Sequence, residues 1–375
     1  MTEYTYLAAD RATGRLLAEL PLRSVQYDLR VNDAATLQCE LILDEAPSAV
    51  DLTGSVRTSI LVNRGDSLMF GGTIWGRQYT ASTRTMRLDV GDTQSYLDAH
   101  VLITSDLNYK QVDQLAIARS LVQYANAKTG VALNPTYTGT TVSGVRRDRS
   151  YLGADGAPVG QRLKELSALE GGFDFRWVPY WDNGVGSVVR RALQLGYPTL
   201  GRTYPTSQLV FEMDVDTIDY GWTEDGQTVA STVYTTGAVK EGSPANAQPP
   251  RYTADDPTVR VAGYPRMEAA ESFSDITTPS VLAAHARGKL ALTRMPLQTF
   301  TLTIASIAAS AAPQLGEYLP GDHCLTRIPR GDGLYRYGAE IVGLITAVSV
   351  AVDEEGNDTI TVTIAPESIA QGVPR

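Results

Sequence analysis

Ser24-Val25-Gln26-Tyr27-Asp28-Leu29-Arg30-Val31, followed beyond Asn32 and Asp33 by Leu37-Gln38-Cys39-Glu40-Leu41, is the stretch whose reading decides the fold class. Val25, Tyr27, Leu29 and Val31 alternate with Gln26, Asp28 and Arg30, and the second run alternates in the same way. A period of two puts every second side chain on one face of a pleated strand, so one face is apolar and the other wet. Two such runs around an Asn-Asp turn predict an antiparallel hairpin.

The pattern extends outward. Ser59–Val62, Leu68–Gly76 and Thr85–Val90 predict further strands of a β-unit that ends near Tyr96-Leu97. At the other end of the chain Phe300, Leu302 and Ile304 alternate with Thr299, Thr301 and Thr303. Ile345–Val352 and Ile360, Val362 and Ile364 flank a Glu354-Glu355-Gly356-Asn357 turn. This closing hairpin resembles the opening one, which suggests two related β-units. Between them, Phe211, Met213 and Val215 alternate with Glu212, Asp214 and Asp216, predicting a strand with both aspartates on its polar face, and Thr228–Tyr234 predicts another after an Asp225-Gly226 turn.

The middle of the chain changes period. Val112, Leu115, Ala116, Arg119 and Val122 follow helical spacing over Gln111–Asn126, with Gly130 as the stop. A second helix is expected from Pro158, with Leu163, Leu166 and Leu169 along one side and Gly171-Gly172 ending it. Phe173, Phe175 and Trp177 then resume strand alternation, and Asn183-Gly184 suggests a tight hairpin turn before Ser187–Leu195. Glu241–Pro257, with four prolines, reads as an irregular excursion. Thr278 and Pro279 open a helix bearing Leu282, Ala286 and Leu290. The expected class is therefore mainly β with an α+β insertion. Two antiparallel β-barrel or sandwich domains, 1–105 and 206–375, flank an α+β region at 106–205, and the second carries an inserted loop and helix segment at about 241–295.

Composition narrows the function. With 375 residues the chain has room for two or three domains. Lys and Arg total 32 against 42 Asp and Glu, a formal charge of −10, and no basic run occurs, which disfavours tight binding to nucleic acid backbones. An acidic wall would still let a polyanion slide past without sticking. Met1–Leu7 lacks the basic and apolar parts of a secretion signal, and Thr301–Leu315, the most apolar stretch, is too broken to span a membrane.

Chemistry-bearing motifs are few. Cys39 and Cys324 give neither a disulfide framework nor a thiolate zinc site. Cys39 reads as a buried small hydrophobe, and Cys324 beside His323 would point to the opposite strand face. Only His100, His285 and His323 are present, and the sequence has no phosphate loop, nucleophile elbow or H-E-x-x-H pattern. His285 lies within the helix pattern and reads as packing. Asp214, Asp216 and Asp219 form the closest carboxylate cluster, but their spacing fails the calcium-loop pattern and suits solvated acids better than a glycosidase pair. No catalytic, metal or cofactor site is expected. Trp177, Tyr180 and Trp181 form an aromatic group suited to packing or a subunit contact, with sugar stacking as the competing use. The Asn357-Asp358-Thr359 sequon carries no meaning without secretion.

The order of three segments carries a resemblance: Leu22-Arg23-Ser24-Val25-Gln26-Tyr27, Met69-Phe70-Gly71-Gly72-Thr73-Ile74 and Gly91-Asp92-Thr93-Gln94-Ser95-Tyr96-Leu97. It resembles the minor tail proteins of long-tailed (siphovirus) actinobacteriophages. Leu319-Pro320-Gly321-Asp322 and the hairpin near Gly343-Leu344-Ile345 resemble the second tube-like domain of the phage baseplate-hub, or tail-tip hub, family. The resemblance implies a structural protein, not an enzyme. It would be a homotrimer whose two tube-like β-domains per chain form a six-lobed ring joining a sixfold tail tube to threefold tip parts. Implied partners are the tail tube or a distal tail protein, the tape-measure protein, fibre or spike proteins, and genomic DNA in transit, with no stable membrane insertion. The implied location is the distal tail tip of the virion, assembled in the host cytoplasm. On that basis Glu40, Asp214 and Asp216 are channel-lining candidates. The region Gln111–Leu195, with Trp177, Tyr180 and Trp181, and the Glu241–Pro257 excursion would contact neighbouring tail proteins. The alternatives are a tail-associated cell-wall carbohydrate hydrolase and a receptor-binding adhesin.

Overall fold

Strand alternation at both ends of the chain is resolved in one large sheet. The computed structural model describes residues 4–44, 48–240, 242–244, 246–274, 276–304 and 313–371. The first β region contains β1 (Tyr4–Asp10), β2 (Leu16–Glu19), β3 (Leu22–Arg30), β4 (Thr36–Ile42), the short helix α1 (Ala49–Leu52), β5 (Thr58–Arg64), β6 (Ser67–Thr80) and β7 (Thr85–Gly91). The middle region holds α2 (Thr93–Ala99), β8 (Leu107–Asp113), α3 (Gln114–Asn126), β9 (Thr136–Gly139), β10 (Arg146–Tyr151), α4 (Val159–Ser167), β11 (Asp174–Trp181) and β12 (Val189–Gly196). There follow β13 (Val210–Glu212), β14 (Thr217–Asp225), β15 (Thr232–Thr236), β16 (Arg251–Asp255), α5 (Pro257–Val261), β17 (Glu268–Ser272), α6 (Pro279–Thr293), β18 (Leu297–Ile304), β19 (His323–Ile328), β20 (Ala339–Val352) and β21 (Asp358–Gln371). The protein is mainly β with a few helices, and its sheets wrap without forming a closed barrel.

The large sheet has 13 strands, ordered β14-β18-β21-β20-β3-β4-β7-β6-β5-β1-β2, with β19 and β13 branching from β20. The long strand β20 makes the joint. Ala339–Leu344 pairs with β19, and Ala347–Val352 pairs with Arg30–Val25 of β3. One apolar core lies beneath both ends of the chain, from Ala8, Tyr27, Leu37 and Leu88 to Phe300, Val350, Val362 and Ile364.

Within this sheet a set of five strands occurs twice. β3-β4-β7-β6 lie side by side with β5 along the first half of β6, and β14-β18-β21-β20 lie side by side with β19 along the first half of β20. The match extends to register. Gln26, Gln38, Asp89 and Gly76 form one row across the first set, and Gly221, Thr301, Thr363 and Ala347 form the same row across the second. Register slips between Ile74 and Gly76 in one set and between Ile345 and Ala347 in the other. Two residues before each slip stands a glycine, Gly72 or Gly343, where an added Cβ would lie 2.6 Å from the Gly91 carbonyl oxygen or 2.5 Å from that of Ala365. The closing hairpin thus matches β6–β7, and the counterpart of the opening hairpin is β14–β18. Alternation alone suggested a different match, because every half-buried hairpin shares it.

The hairpin turn between β3 and β4 has become, between β14 and β18, an inserted unit. There β15 pairs antiparallel to β16 and parallel to β17, and α6 packs on β15 and β16 through Ala230, Val233, Ala254, Ala286 and Leu290. The excursion expected to be irregular therefore contains β16; its first residue, Glu241, lies outside the described residues. The middle region has its own core, in which Leu115, Ala118, Leu121 and Val122 of α3 meet Leu163 and Leu166 of α4 and Phe173, Phe175 and Leu193.

Three local expectations are corrected. The helix predicted from Gln111 begins at Gln114, because Leu107–Asp113 pairs with β10 and Asp113 caps the helix by accepting from the Leu115 N–H at 2.9 Å. The Asn183-Gly184 turn belongs to a longer loop, since the last pair is Trp181–Val189. The strand read through Val215 stops at Glu212, and residues 213–216 form a turn in which Asp214 takes a positive φ of 66°.

Candidate assembly surface

Eight strands, β14-β18-β21-β20-β3-β4-β7-β6, form a continuous layer with one apolar face on the core. The other face is read from the register. Asp219, Thr303, Thr361, Ser349 and Asp28 form one row, and Gly221, Thr301, Thr363, Ala347 and Arg30 form the next. Across β18, β21 and β20 this face presents Thr299, Thr301, Thr303, Thr359, Thr361, Thr363, Ala347, Ser349 and Ala351, a tract without charge. Charges appear toward its sides and are largely paired, Arg30 with Asp28 at 2.7 Å and Arg87 with Asp89 at 3.4 Å.

Glu40 is exposed on this face, opposite Arg23 on one neighbouring strand and Arg87 on the other. Asp214 is exposed at the β13–β14 turn. Asp216 is buried, accepting from the Glu212 N–H at 2.7 Å and the Thr217 hydroxyl at 3.0 Å. Burial, partly offset by these bonds, holds its carboxyl above the usual carboxylate range. The two aspartates therefore do not share a solvated strand face. A turn intervenes, and Asp216 fixes it.

Both sides of the eight-strand layer have strand edges without a strand partner among the described residues. β14 pairs only with β18. β6 pairs with β5 only over Ser67–Thr73, so on that side Ile74–Thr80 has no strand beside it.

The joint between the two strand sets is reinforced by a buried polar cluster. Arg64 Nε donates to Asp358 Oδ2 at 3.0 Å, Tyr4 donates its hydroxyl to the same oxygen at 2.7 Å, and Arg64 also donates to the Leu315 carbonyl at 3.2 Å. Another polar joint ties the first set to the middle region. Asp92 caps α2 by accepting from the Ser95 N–H, and burial pushes its carboxyl up to about 7. Nearby, Lys164 bridges Asp98 at 2.9 Å and Asp33 at 3.0 Å. Asp92 stood within a segment that carried the resemblance and Asp358 within the sequon, but no sequence pattern gave them or Arg64 these roles, since their partners lie on other strands or depend on burial.

Trp177 donates its indole N–H to Gln94 at 3.1 Å and packs on the middle core. Trp181 packs against a separate small cluster, Ala9, Leu61 and Val189. Tyr180, between them, is half-buried. His285 packs against Phe273 with ring centroids 4.4 Å apart and planes tilted by 39°, and accepts from Arg149 at 3.2 Å when neutral. Burial, with Arg149, Arg162 and Arg147 adding to it, lowers His285 to about 3, so it joins the insertion to the middle region as an uncharged acceptor. The adjoining cleft, about 360 Å³, is lined by Tyr109, Gln111, Arg149, Glu165 and Thr278 among others. Burial raises the thiols of Cys39 and Cys324 to about 12, leaving both protonated and unreactive. Among the described residues no group of three or more His, Cys, Asp or Glu is arranged to hold a metal ion, and no helix is long and apolar enough to cross a membrane.

No family model matches the sequence, and neither does any curated protein. Solved structures do match. The tail protein from Neisseria meningitidis MC58 is 13% identical with a TM-score of 0.59, covering 97% of this chain and 96% of its own. The 43 kDa tail protein of prophage MuSo2 from Shewanella oneidensis is 11% identical with a TM-score of 0.58, covering 97% and 98%. Prophage tail protein gp18 from Listeria monocytogenes EGD-e is 12% identical with a TM-score of 0.52, covering 97% and 95%. The chain has the fold of phage tail proteins. The likeness spans nearly the full length of all four chains, so the middle region and the insertion belong to the shared architecture.

Proposed function

We propose that this protein is a structural component of a bacteriophage tail, the hub at the distal tip of a siphovirus virion, working as a homotrimeric ring. The observation that carries the reading is the twofold repeat of four strands within one eight-strand layer, because three such chains present six equivalent sets. A ring of that kind meets a sixfold tube on one side and threefold tip parts on the other. At a strand spacing of about 4.8 Å, three layers give a wall roughly 115 Å around, or about 37 Å across before strand tilt widens it. That leaves room for a DNA duplex inside.

In this reading the hydroxyl-rich face lines the channel. Uncharged threonines offer a passing polyanion no ion pair, Asp214 adds repulsion at the side, and Glu40 offsets the charge of Arg23 and Arg87, which stand opposite it. Asp216 supports the same rim from behind by holding the β13–β14 turn. The middle region and the insertion lie outside the ring and meet the tail tube or distal tail protein and the fibre or spike proteins. Tyr180 and Trp181 are the proposed contacts, while Trp177 braces the strand that carries them. The tape-measure protein occupies the channel before the genome does. Assembly takes place in the host cytoplasm.

Electron microscopy of the purified chain and of tails tests the proposal. Threefold or pseudo-sixfold rings, with matching density at the tail tip, are the expected result. Compact monomers together with no such density at the tip would overturn it. Trp181→Ala is expected to impair tail assembly while leaving the ring intact.

A further inference from the structure

The repeat inside the chain contains a template for a contact between chains. Within one chain, the second half of β20 pairs with β3, joining one four-strand set to the other. By strand order and register, β6 is the counterpart of β20, and β14 is the counterpart of β3. β6 and β14 are also the outer strands of the layer, and among the described residues no strand covers the outer edge of β14 or of Ile74–Thr80 in β6.

We infer that β6 of one copy pairs antiparallel with β14 of the next, in the register that the β20–β3 junction sets. Carrying Val348–Leu29 and Val350–Tyr27 over to their counterparts places Arg77 opposite Glu224 and Tyr79 opposite Trp222. On the channel side the same register sets Gln78 opposite Thr223 and Thr80 opposite Gly221.

The side chains fit the pairing. Val350 and Tyr27 are 1% and 2% exposed in the internal junction, whereas Tyr79 and Trp222, at the matching outer positions, are 52% and 38% exposed. Large aromatics on bare edges are a liability unless a partner covers them, and a directly opposed aromatic pair is a favourable cross-strand contact. Arg77, whose guanidinium donates to the Val50 carbonyl at 3.0 Å, faces an edge strand carrying Asp219, Glu224 and Asp225. The two edges thus differ in charge, which favours head-to-tail contact over pairing of like edges, and head-to-tail contacts that close make rings. This inference rests on the ring reading and supplies its joint.

Charge exchange and cysteine trapping in the full chain test it. Arg77→Glu or Glu224→Arg alone is expected to weaken trimer formation at least tenfold by sedimentation, and the two together to restore most of it. Gln78→Cys with Thr223→Cys in one chain is expected to give a disulfide-linked trimer under mild oxidation, and either cysteine alone none; Cys39 and Cys324 are buried and do not compete. Circular dichroism of each variant confirms that it folds. Rings that form normally in both charge variants and never cross-link would overturn the β6–β14 joint while leaving the ring. Monomers at every concentration, with no disulfide between chains of the cysteine pair and no matching density at the tail tip, would overturn both.

Discussion

Asp92 shows how a single carboxyl couples the fold to pH. In the folded chain its pKa is pushed up to about 7, chiefly by burial, with N–H bonds from the start of α2 opposing the shift. Unfolded, the group titrates near 4. A raised acid binds its proton more tightly in the fold, so its contribution is complete below about pH 4 and is lost as pH rises through 7, an effect on the order of 4 kcal/mol. Asp92→Asn keeps a good helix cap without the charge. We expect the variant to match the wild type near pH 4 and to be more stable by a few kcal/mol at pH 8 in denaturant titrations; a constant difference across that range would count against the assignment. The cluster around Asp358 rests on a buried ion pair. Its carboxylate is buried against Arg64 and Tyr4, so Asp358→Ala strands a buried guanidinium and is expected to cost about 3–5 kcal/mol by the same measurement. None of this was legible in the sequence. Arg64 and Asp358 lie 294 residues apart, and Asp92 owes its pKa to what covers it. Cys39, by contrast, was readable as a buried thiol, because Leu37, Leu41 and Leu43 alternate with it.

At the level of elements, alternation located nearly every strand of the eight-strand layer but gave no account of which strand corresponds to which. A period of two is the same in any half-buried strand, and the repeat became visible only through pairing rows and shared register slips. Alternation also ran on through Met213–Asp216, where the backbone turns, since a turn residue of either polarity continues the pattern by chance. The start of α3 was misplaced for a related reason: Val112 falls at helical spacing yet belongs to β8, and the decisive signal was the capping residue Asp113. The repeat makes a prediction of its own. Gly72 and Gly343 hold equivalent places, and a methyl group at either would meet a strand carbonyl at 2.6 or 2.5 Å. Gly72→Ala and Gly343→Ala are therefore each expected to destabilise the fold by about 1–3 kcal/mol, comparably to one another, in thermal or denaturant unfolding. A neutral Gly343→Ala beside a damaging Gly72→Ala would argue that the two sets are not built alike.

For the whole molecule, the repeat separates the wall from what is mounted on it. The first set connects its β3 and β4 by a short turn, whereas the second interrupts the same hairpin with the unit carrying β15, β16, β17, α5 and α6. Asp225 and Leu297, the last pair before the interruption, lie directly opposite one another across β14 and β18, so the two strand ends already stand at hairpin distance. The insertion has its own small core and reaches the middle region through His285 and through Gly288, where a Cβ would lie 2.7 Å from the Ala168 carbonyl oxygen. It adds nothing to the strand order of the wall. Replacing residues 226–296 by Asn-Gly, which suits a two-residue hairpin, is thus expected to leave a folded, soluble chain with the strand signal of the large sheet intact. Circular dichroism and sedimentation check this. The shortened chain should associate as the full chain does, because both β6 and β14 remain. Aggregation of a variant with the insertion removed would mean that the unit shields the β14 edge; a soluble variant that no longer joins tails would assign it to contacts outside the ring.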